Sequence, residues 1–221
     1  MSEPSTERVA LRARGIRKSF HGVRALNGVD FDVRAGEVHG LVGENGAGKS
    51  TLVKILTGAA EPDAGTVESR RSGIAAIYQE PSIVPGLSAA ANVFLGRAHR
   101  RGPFISRSRT RREFRRLNAR LGLAIDPDAR AASLSPANVR MLEIMRALAA
   151  EQRILVMEEP TASLGPAERE HLYEAVRGLR EAGVATVHVS HDLDEVLALC
   201  DRVTVLRDGE LVAIEPVQRW T

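Results

Sequence analysis

Gly43-Glu44-Asn45-Gly46-Ala47-Gly48-Lys49-Ser50-Thr51 decides the fold. It fits the phosphate-binding pattern G-x-x-x-x-G-K-[ST] at each fixed position. A triphosphate needs many donors converging on one concave spot. Glycines let backbone N–H groups approach phosphate oxygens with no Cβ in the way. Lys49 adds a point charge for the β- and γ-phosphates, and the Ser50 hydroxyl is placed to ligate Mg²⁺. The flanks agree with this reading. Residues 37–42, Glu-Val-His-Gly-Leu-Val, read as a short buried strand. Ser50 to Thr57 reads as a helix whose N-terminus faces the phosphates. A Gly-rich turn matching by chance would lack that strand–loop–helix context. The loop therefore predicts binding of a nucleoside triphosphate, lined by Gly43, Glu44, Asn45, Gly46, Ala47, Gly48, Lys49, Ser50 and Thr51.

Working outward, 221 residues are enough to bury a substantial core as one domain or a domain with a subdomain. Hydrophobic content of 43% and charged content of 27% are those of a soluble globular protein. No apolar run approaches the roughly 20 residues that span a bilayer. Residues 1–8 read as a disordered lead-in with no basic start or apolar block, hence not a secretory signal. Cys200 is the single cysteine, which excludes an intrachain disulfide and points to a reducing, cytoplasmic setting. The net charge of +3 comes from arginines clustered between Arg97 and Arg120. Such a patch attracts nucleic acid or an anionic membrane, or is simply a solvated helix face. Aromatics make up only 4% of the chain, too few for stacking on bases, and this argues against nucleic acid.

Val9 to Phe20 and Val29 to Val33 alternate apolar and polar residues as half-buried strands do. Pro62-Asp63-Ala64-Gly65 signals a turn, and Ile74 to Tyr78 a short apolar strand. From Ser88 to about Ala150 the pattern is helical, with Asn92, Gly96 and Gly102-Pro103 as breaks. Strand-like runs return at Ile154 to Met157, Val184 to Val189 and Val203 to Leu206. Helices at Pro166 to Ala182 and Asp192 to Leu199 alternate with them. The expected class is α/β: a mostly parallel core sheet with an antiparallel β part. Residues 9–221 form one such domain, with an inserted helical subdomain at about 88–150.

Ile154-Leu155-Val156-Met157-Glu158-Glu159-Pro160-Thr161 is an apolar strand ending in two acids. A phosphate-loop NTPase needs a carboxylate at such a strand end to hold Mg²⁺ or its water. A second carboxylate beside it can orient and deprotonate the attacking water. Glu158 is assigned to the metal and Glu159 to the water. Val187-His188-Val189-Ser190-His191-Asp192 ends another buried strand, at the edge where α/β ligands sit. His191 is a candidate for the γ-phosphate; alone it would read as a surface or helix-capping residue. His188, inside the strand, reads as structural. Gln79, in Tyr78-Gln79-Glu80-Pro81, ends the strand before the helical stretch; only a family resemblance singles it out, as a residue that reaches Mg²⁺ or the water.

Together these motifs resemble the ATP-binding domain of an ABC transporter, from about Val9 to the C-terminus. Within that class the chain most resembles the first ATP-binding domain of bacterial monosaccharide importers. The likeness is carried by residues 19–26 (Ser-Phe-His-Gly-Val-Arg-Ala-Leu), 40–52, 78–81, 92–97 (Asn-Val-Phe-Leu-Gly-Arg) and 203–209. The resemblance implies ATP and Mg²⁺ as ligands. It implies that Phe20 stacks on adenine, that Gln79 links nucleotide to the membrane subunit, and that Glu159 is the catalytic base. His191 matches the switch histidine. It also implies a head-to-tail pair of ATP-binding domains, in which Ser135 of one domain completes the phosphate site of the other. Further implied partners are membrane permease subunits and, indirectly, a periplasmic or extracellular sugar-binding protein. The implied location is peripheral, on the cytoplasmic face of a bacterial membrane.

The chain departs from the family at the signature, which reads Leu134-Ser135-Pro136-Ala137-Asn138 where the family writes LSGGQ or a looser form. Ser135 followed by Pro136 is a good helix start. Proline, however, supplies no N–H to a partner's γ-phosphate. Glu158 replaces an Asp and is one methylene longer, while Mg²⁺ tolerates little deviation from octahedral geometry. Gly165 stands where many relatives carry Asp or Thr, and Thr66 to Gly73 is short for the sugar branch. These changes predict intact ATP binding and slowed hydrolysis. They keep open a nucleotide-driven dimerisation module, and a nucleoside importer shares the same motifs. A soluble relative acting on DNA or ribosomes would need coiled-coil or paired-domain features that the chain lacks. The sugar-importer ATPase usually carries two such domains in one chain, so a first half or a natural half-length chain is expected.

Overall fold

A computed structural model describes residues 9–69, 73–97, 100–101 and 104–220. β1 (Val9–Phe20) and β2 (Val23–Arg34) form an antiparallel hairpin with Phe20 opposite Val23. The two residues between them, His21 and Gly22, have φ of 49° and 85°. That left-handed pair gives the turn whose twist matches paired strands. β2 is longer than the alternation at Val29 to Val33 predicts, because pairing with β1 carries it back to Val23. A turn alone is expected at residues 62–65, yet β4 (Ala64–Ser69) starts inside it and pairs with β1, giving the sheet β2-β1-β4.

The second sheet has the order β11-β10-β3-β9-β8-β5. Its strands are β3 (Val38–Val42), β5 (Ile74–Ile77), β8 (Ile154–Glu158), β9 (Ala185–Val189), β10 (Arg202–Arg207) and β11 (Glu210–Pro216). β10, β3, β9 and β8 run parallel. β3 and β9 are buried throughout, as continuous apolar runs in a parallel sheet should be. β11, which the sequence reading does not anticipate, returns antiparallel through Asp208-Gly209, another left-handed pair with φ of 49° and 75°. α1 (Lys49–Leu56) follows β3, α5 (Pro166–Glu181) follows β8, and α6 (Leu193–Leu199) follows β9. Leu41 lies opposite Val189, and Val189 opposite Glu158. The parallel register thus brings the phosphate loop, the Glu158-Glu159 pair and the Ser190-His191 pair to one edge of the sheet. The expected α/β class, with a mostly parallel sheet and an antiparallel part, is what the chain adopts.

The chain divides into two compact units. Met1–Ala76, Arg153–Glu159 and Leu179–Thr221 form the first; Ile77–Gln152 and Pro160–Gly178 form the second. The core of the first includes Leu11, Phe31, Leu41, Leu52, Val156 and Val187. The second holds α2 (Ala89–Val93), the short ribbon of β6 (Arg100–Arg101) and β7 (Phe104–Ile105), α3 (Arg107–Arg120) and α4 (Pro136–Ala149). The expected helical run from Ser88 to Ala150 is therefore interrupted by a ribbon and by the loop between α3 and α4. Asn92 stands one residue before α2 ends, in line with the expected break. It lies inside α2, fully buried, accepting from Val84 N at 2.8 Å and donating to Val84 O at 3.0 Å. The proposed break at Gly102-Pro103 and the lead-in at residues 1–8 fall outside the described residues. No described helix is long and apolar enough to cross a membrane.

Candidate active site

The phosphate loop is shaped by its backbone. Gly46 and Gly48 have φ of 87° and 101°. A Cβ on Gly48 would sit 2.6 Å from Ala25 O and 2.8 Å from Leu26 Cδ2. β2 backs the loop so closely that only glycine fits there. Gly48 caps α1 with no side-chain hydrogen bond. The N–H groups of the first turn are thus not claimed by a cap side chain. Lys49 Nζ donates to Gly43 O at 2.6 Å and Glu44 O at 3.0 Å, which uses two of the three ammonium donors. Gly209 N donates to Ala47 O at 3.2 Å, and Gly209 O accepts from Asn27 N at 2.8 Å. The Asp208-Gly209 turn thus fastens the loop to β2.

At the end of β8, the Ser50 hydroxyl donates to the Glu158 carboxylate. Glu159 follows in the left-handed region, φ 46°, with its N–H donating to Val189 O at 2.9 Å. Such a backbone is uncommon for a non-glycine residue and clusters at functional sites. It turns the Glu159 carboxylate toward β9, where Oε1 meets His191 Nδ1 at 2.8 Å. The His191 side chain is 72% exposed. Its hydrogen bond to Glu159, and then that carboxylate's charge, hold its pKa above the ordinary imidazole value; desolvation and Lys49 act in the other direction.

His191 does not cap the helix that follows it; Asp192 does, accepting from the N–H groups of Asp194 and Glu195. Beneath this loop, Ser190 Oγ donates to Glu195 Oε2 at 2.8 Å and accepts from Asp192 N at 3.0 Å. His188 Nε2 lies 3.0 Å from Glu195 Oε1, both buried, an ion-pair distance without hydrogen-bond alignment. His188 is fully buried within β9.

Phe20 ends β1 beside the hairpin turn, 44% exposed, with Lys18 Nζ 5.5 Å from its ring centroid. Gln79 and Ser135 belong to the second unit. The backbone of the Gln79 segment is held by α4: Arg140 donates to Tyr78 O at 2.6 Å and Gln79 O at 3.0 Å. Arg140 also pairs with Glu143 at 2.8 Å, and Glu143 accepts from Ser82 N at 2.8 Å. Burial raises the Glu143 pKa against those partners. Sequence reasoning missed both residues, since 61 positions separate each from the backbone it holds. Ser135 caps α4 by accepting from Asn138 N at 3.3 Å, with Pro136 in the first turn. This is the helix start that the sequence predicts.

The residues fit a magnesium ion. Mg²⁺ takes oxygen ligands, usually one or two protein groups with waters and substrate phosphates. The Ser50 hydroxyl and the Glu158 carboxylate supply such a pair in direct contact. Among the described residues there is no group of three or more His, Cys, Asp and Glu that could cage a metal.

A family model described as ABC transporter matches residues 26–162. The chain belongs to that family. It is 50% identical over 219 residues to the ribose import ATP-binding protein RbsA 1 of Streptomyces avermitilis, covering 93% of this chain and 42% of that protein. It is also 50% identical over 218 residues to the protein of the same name from Rubrobacter xylanophilus, covering 93% and 44%. The chain thus spans less than half the length of these curated relatives. Among solved structures, an ATP-binding cassette of an ABC transporter in its ADP conformation superposes with a TM-score of 0.83. It shares 26% identity, with 94% of this chain and 91% of that one covered. ABC cassettes bind ATP and ADP.

Proposed function

We propose that the chain is an ATP-binding and ATP-hydrolysing subunit that energises import of a sugar through an ABC transporter. One observation carries the reading. The Ser50–Glu158 and Glu159–His191 contacts stand together at the strand ends beside the phosphate loop. The names of the ribose-import relatives support the sugar. ATP takes its phosphates in the loop Gly43 to Thr51, with Lys49 reaching the β- and γ-phosphates and Phe20 stacking on adenine. Ser50 and Glu158 would hold Mg²⁺, with Gln79 as a further contact. Bound there, the ion would neutralise charge on the β- and γ-oxygens. Glu159 takes the proton from the attacking water. With Nδ1 committed to Glu159, His191 offers Nε2–H to the γ-phosphate.

Ser135 acts across a head-to-tail pair, at the phosphate site of a second ATP-binding domain. Membrane permease subunits, fed by a periplasmic or extracellular sugar-binding protein, complete the assembly at the cytoplasmic face. The test is ATP hydrolysis and uptake of labelled ribose in proteoliposomes holding the assembled transporter. Glu159→Gln is expected to abolish both while ATP still binds. Uptake of a nucleoside in place of ribose would reassign the substrate. Pro136 and Glu158 favour a second reading, in which ATP is mainly a dimerisation ligand. Tight ATP binding without phosphate release from the assembled wild-type transporter would establish that reading instead.

A further inference from the structure

α3 is unlike the rest of the molecule. Its sequence, RSRTRREFRRLNAR, holds seven arginines and one glutamate. The helix therefore carries +6 in a chain whose total is +3, so the remainder sums to −3. The side that α3 buries is Thr110, Phe114 and Asn118, spaced i, i+4, i+8. It packs there on α2 and α4. At 100° per residue, Arg109, Arg112, Arg116 and Arg120 fall on the opposite side. All four are exposed. They form one stripe running ~16 Å along the helix.

Little within the described residues neutralises this stripe. Arg116 faces Glu113 at 3.7 Å, and Arg111, off the stripe, pairs with Asp128 at 2.9 Å. Arg109, Arg112 and Arg120 have no ion-pair partner among the described residues. Arg112–Arg116 and Arg116–Arg120 are like charges at i, i+4, which repel along a helix. The first turn has no acidic residue and holds Arg107 and Arg109, against the sign that the helix dipole favours there. The isolated helix is thus arranged against its own electrostatics, and an external anionic surface would offset that.

We infer that this stripe is a docking surface for the anionic phospholipid headgroups of a membrane. The inference rests on the reading of the chain as the ATPase of a membrane importer, which brings the chain to a membrane. Charge complementarity selects the occupant. Arginine matches phosphate oxygens with a planar fork of donors, and a row of arginines suits a plane of headgroups. The only aromatic residue of α3, Phe114, is buried, Leu117 is half-buried, and the exposed Ala119 is small, so contact is peripheral and electrostatic, without insertion. Nucleic acid fits less well. The stripe is one short straight helix face carrying no aromatic residue for base stacking, since Phe114 is buried.

The experiment is co-sedimentation of the purified chain with phosphatidylcholine vesicles containing about one third phosphatidylglycerol. Pure phosphatidylcholine vesicles and a high-salt buffer are the controls. The wild-type chain is expected to sediment with the anionic vesicles alone, and to be released by salt. Each arginine removed should weaken partition by about fivefold. The variant R109Q/R112Q/R116Q/R120Q should stay in solution while retaining nucleotide binding, the readout of intact folding. Replacing the same four by lysine should keep most of the binding. Equal sedimentation of wild type and the glutamine variant would overturn the inference. So would no sedimentation of either, or tighter binding to duplex DNA than to anionic vesicles at equal phosphate. Loss of nucleotide binding by the wild-type chain would instead count against the proposed function.

Discussion

Two helix N-termini carry the account, and they are built in opposite ways. α1 starts at Gly48, a left-handed residue with no capping side chain, and β2 packs so close behind it that no other residue fits. Its first-turn N–H groups stay available for a ligand. α4 starts at Ser135, whose hydroxyl satisfies Asn138 N, and Pro136 removes another donor. A terminus whose donors are free is poised to bind an anion, whereas one capped by its own side chain is mainly a stable helix start. The first draws its donors from the backbone of this chain. The second, in the proposed assembly, serves a phosphate bound by another domain, and its stock of donors is reduced. Binding and turnover should therefore respond separately to substitution.

Four substitutions sharpen or break that contrast. Glu159→Gln has the largest expected effect: ATP hydrolysis by the assembled transporter falls by about 10²–10⁴, the range for loss of a general base, with ATP affinity kept. Equal loss of affinity would make Glu159 part of the binding terminus. The same substitution removes the charge that holds His191 above the ordinary imidazole pKa. With the folded pKa raised, the ion pair is fully formed below the ordinary value and is lost as pH rises through the folded pKa. In Glu159→Gln the His191 titration midpoint, followed by NMR, should fall toward the ordinary value. Arg140→Ala leaves Glu143 buried without its cation, and thermal unfolding should show a loss of about 3–5 kcal/mol. Ser135→Ala removes the α4 cap and should cost about 1 kcal/mol by the same measurement, with no change in ATP affinity. Pro136→Gly restores an N–H and should raise turnover a few-fold, by roughly the net worth of one hydrogen bond.

Sequence alone reached the α1 terminus because its requirements are local. The glycines, Lys49 and Ser50 are contiguous, and a phosphate cradle imposes their spacing. Glu158, Glu159 and His191 were legible as strand-end residues, since a parallel register places such ends together. What sequence could not show depends on chain that is far away. Glu159 adopts a left-handed backbone anchored to Val189, a conformation no residue preference signals. The Asp208-Gly209 turn secures Ala47 across more than half the chain. Asn92 reads as a helix break, and α2 does end beside it, but sequence does not signal the clamp that it forms on Val84. Arg140 and Glu143 resemble ordinary helix-surface charges until the Gln79 segment folds onto them.

In a single chain, the proposed ATP site is built around the α1 terminus, and the α4 terminus does not contribute to binding. Calorimetric titration of Mg-ATP into the purified chain, Lys49→Ala and Pro136→Gly side by side, tests it most directly. Lys49→Ala is expected to weaken affinity by about 100-fold, the worth of charge-assisted hydrogen bonds to phosphate. Pro136→Gly should stay within about twofold of the unsubstituted chain, a change below about 0.5 kcal/mol. Unchanged affinity in Lys49→Ala, or a large gain in Pro136→Gly, would contradict it.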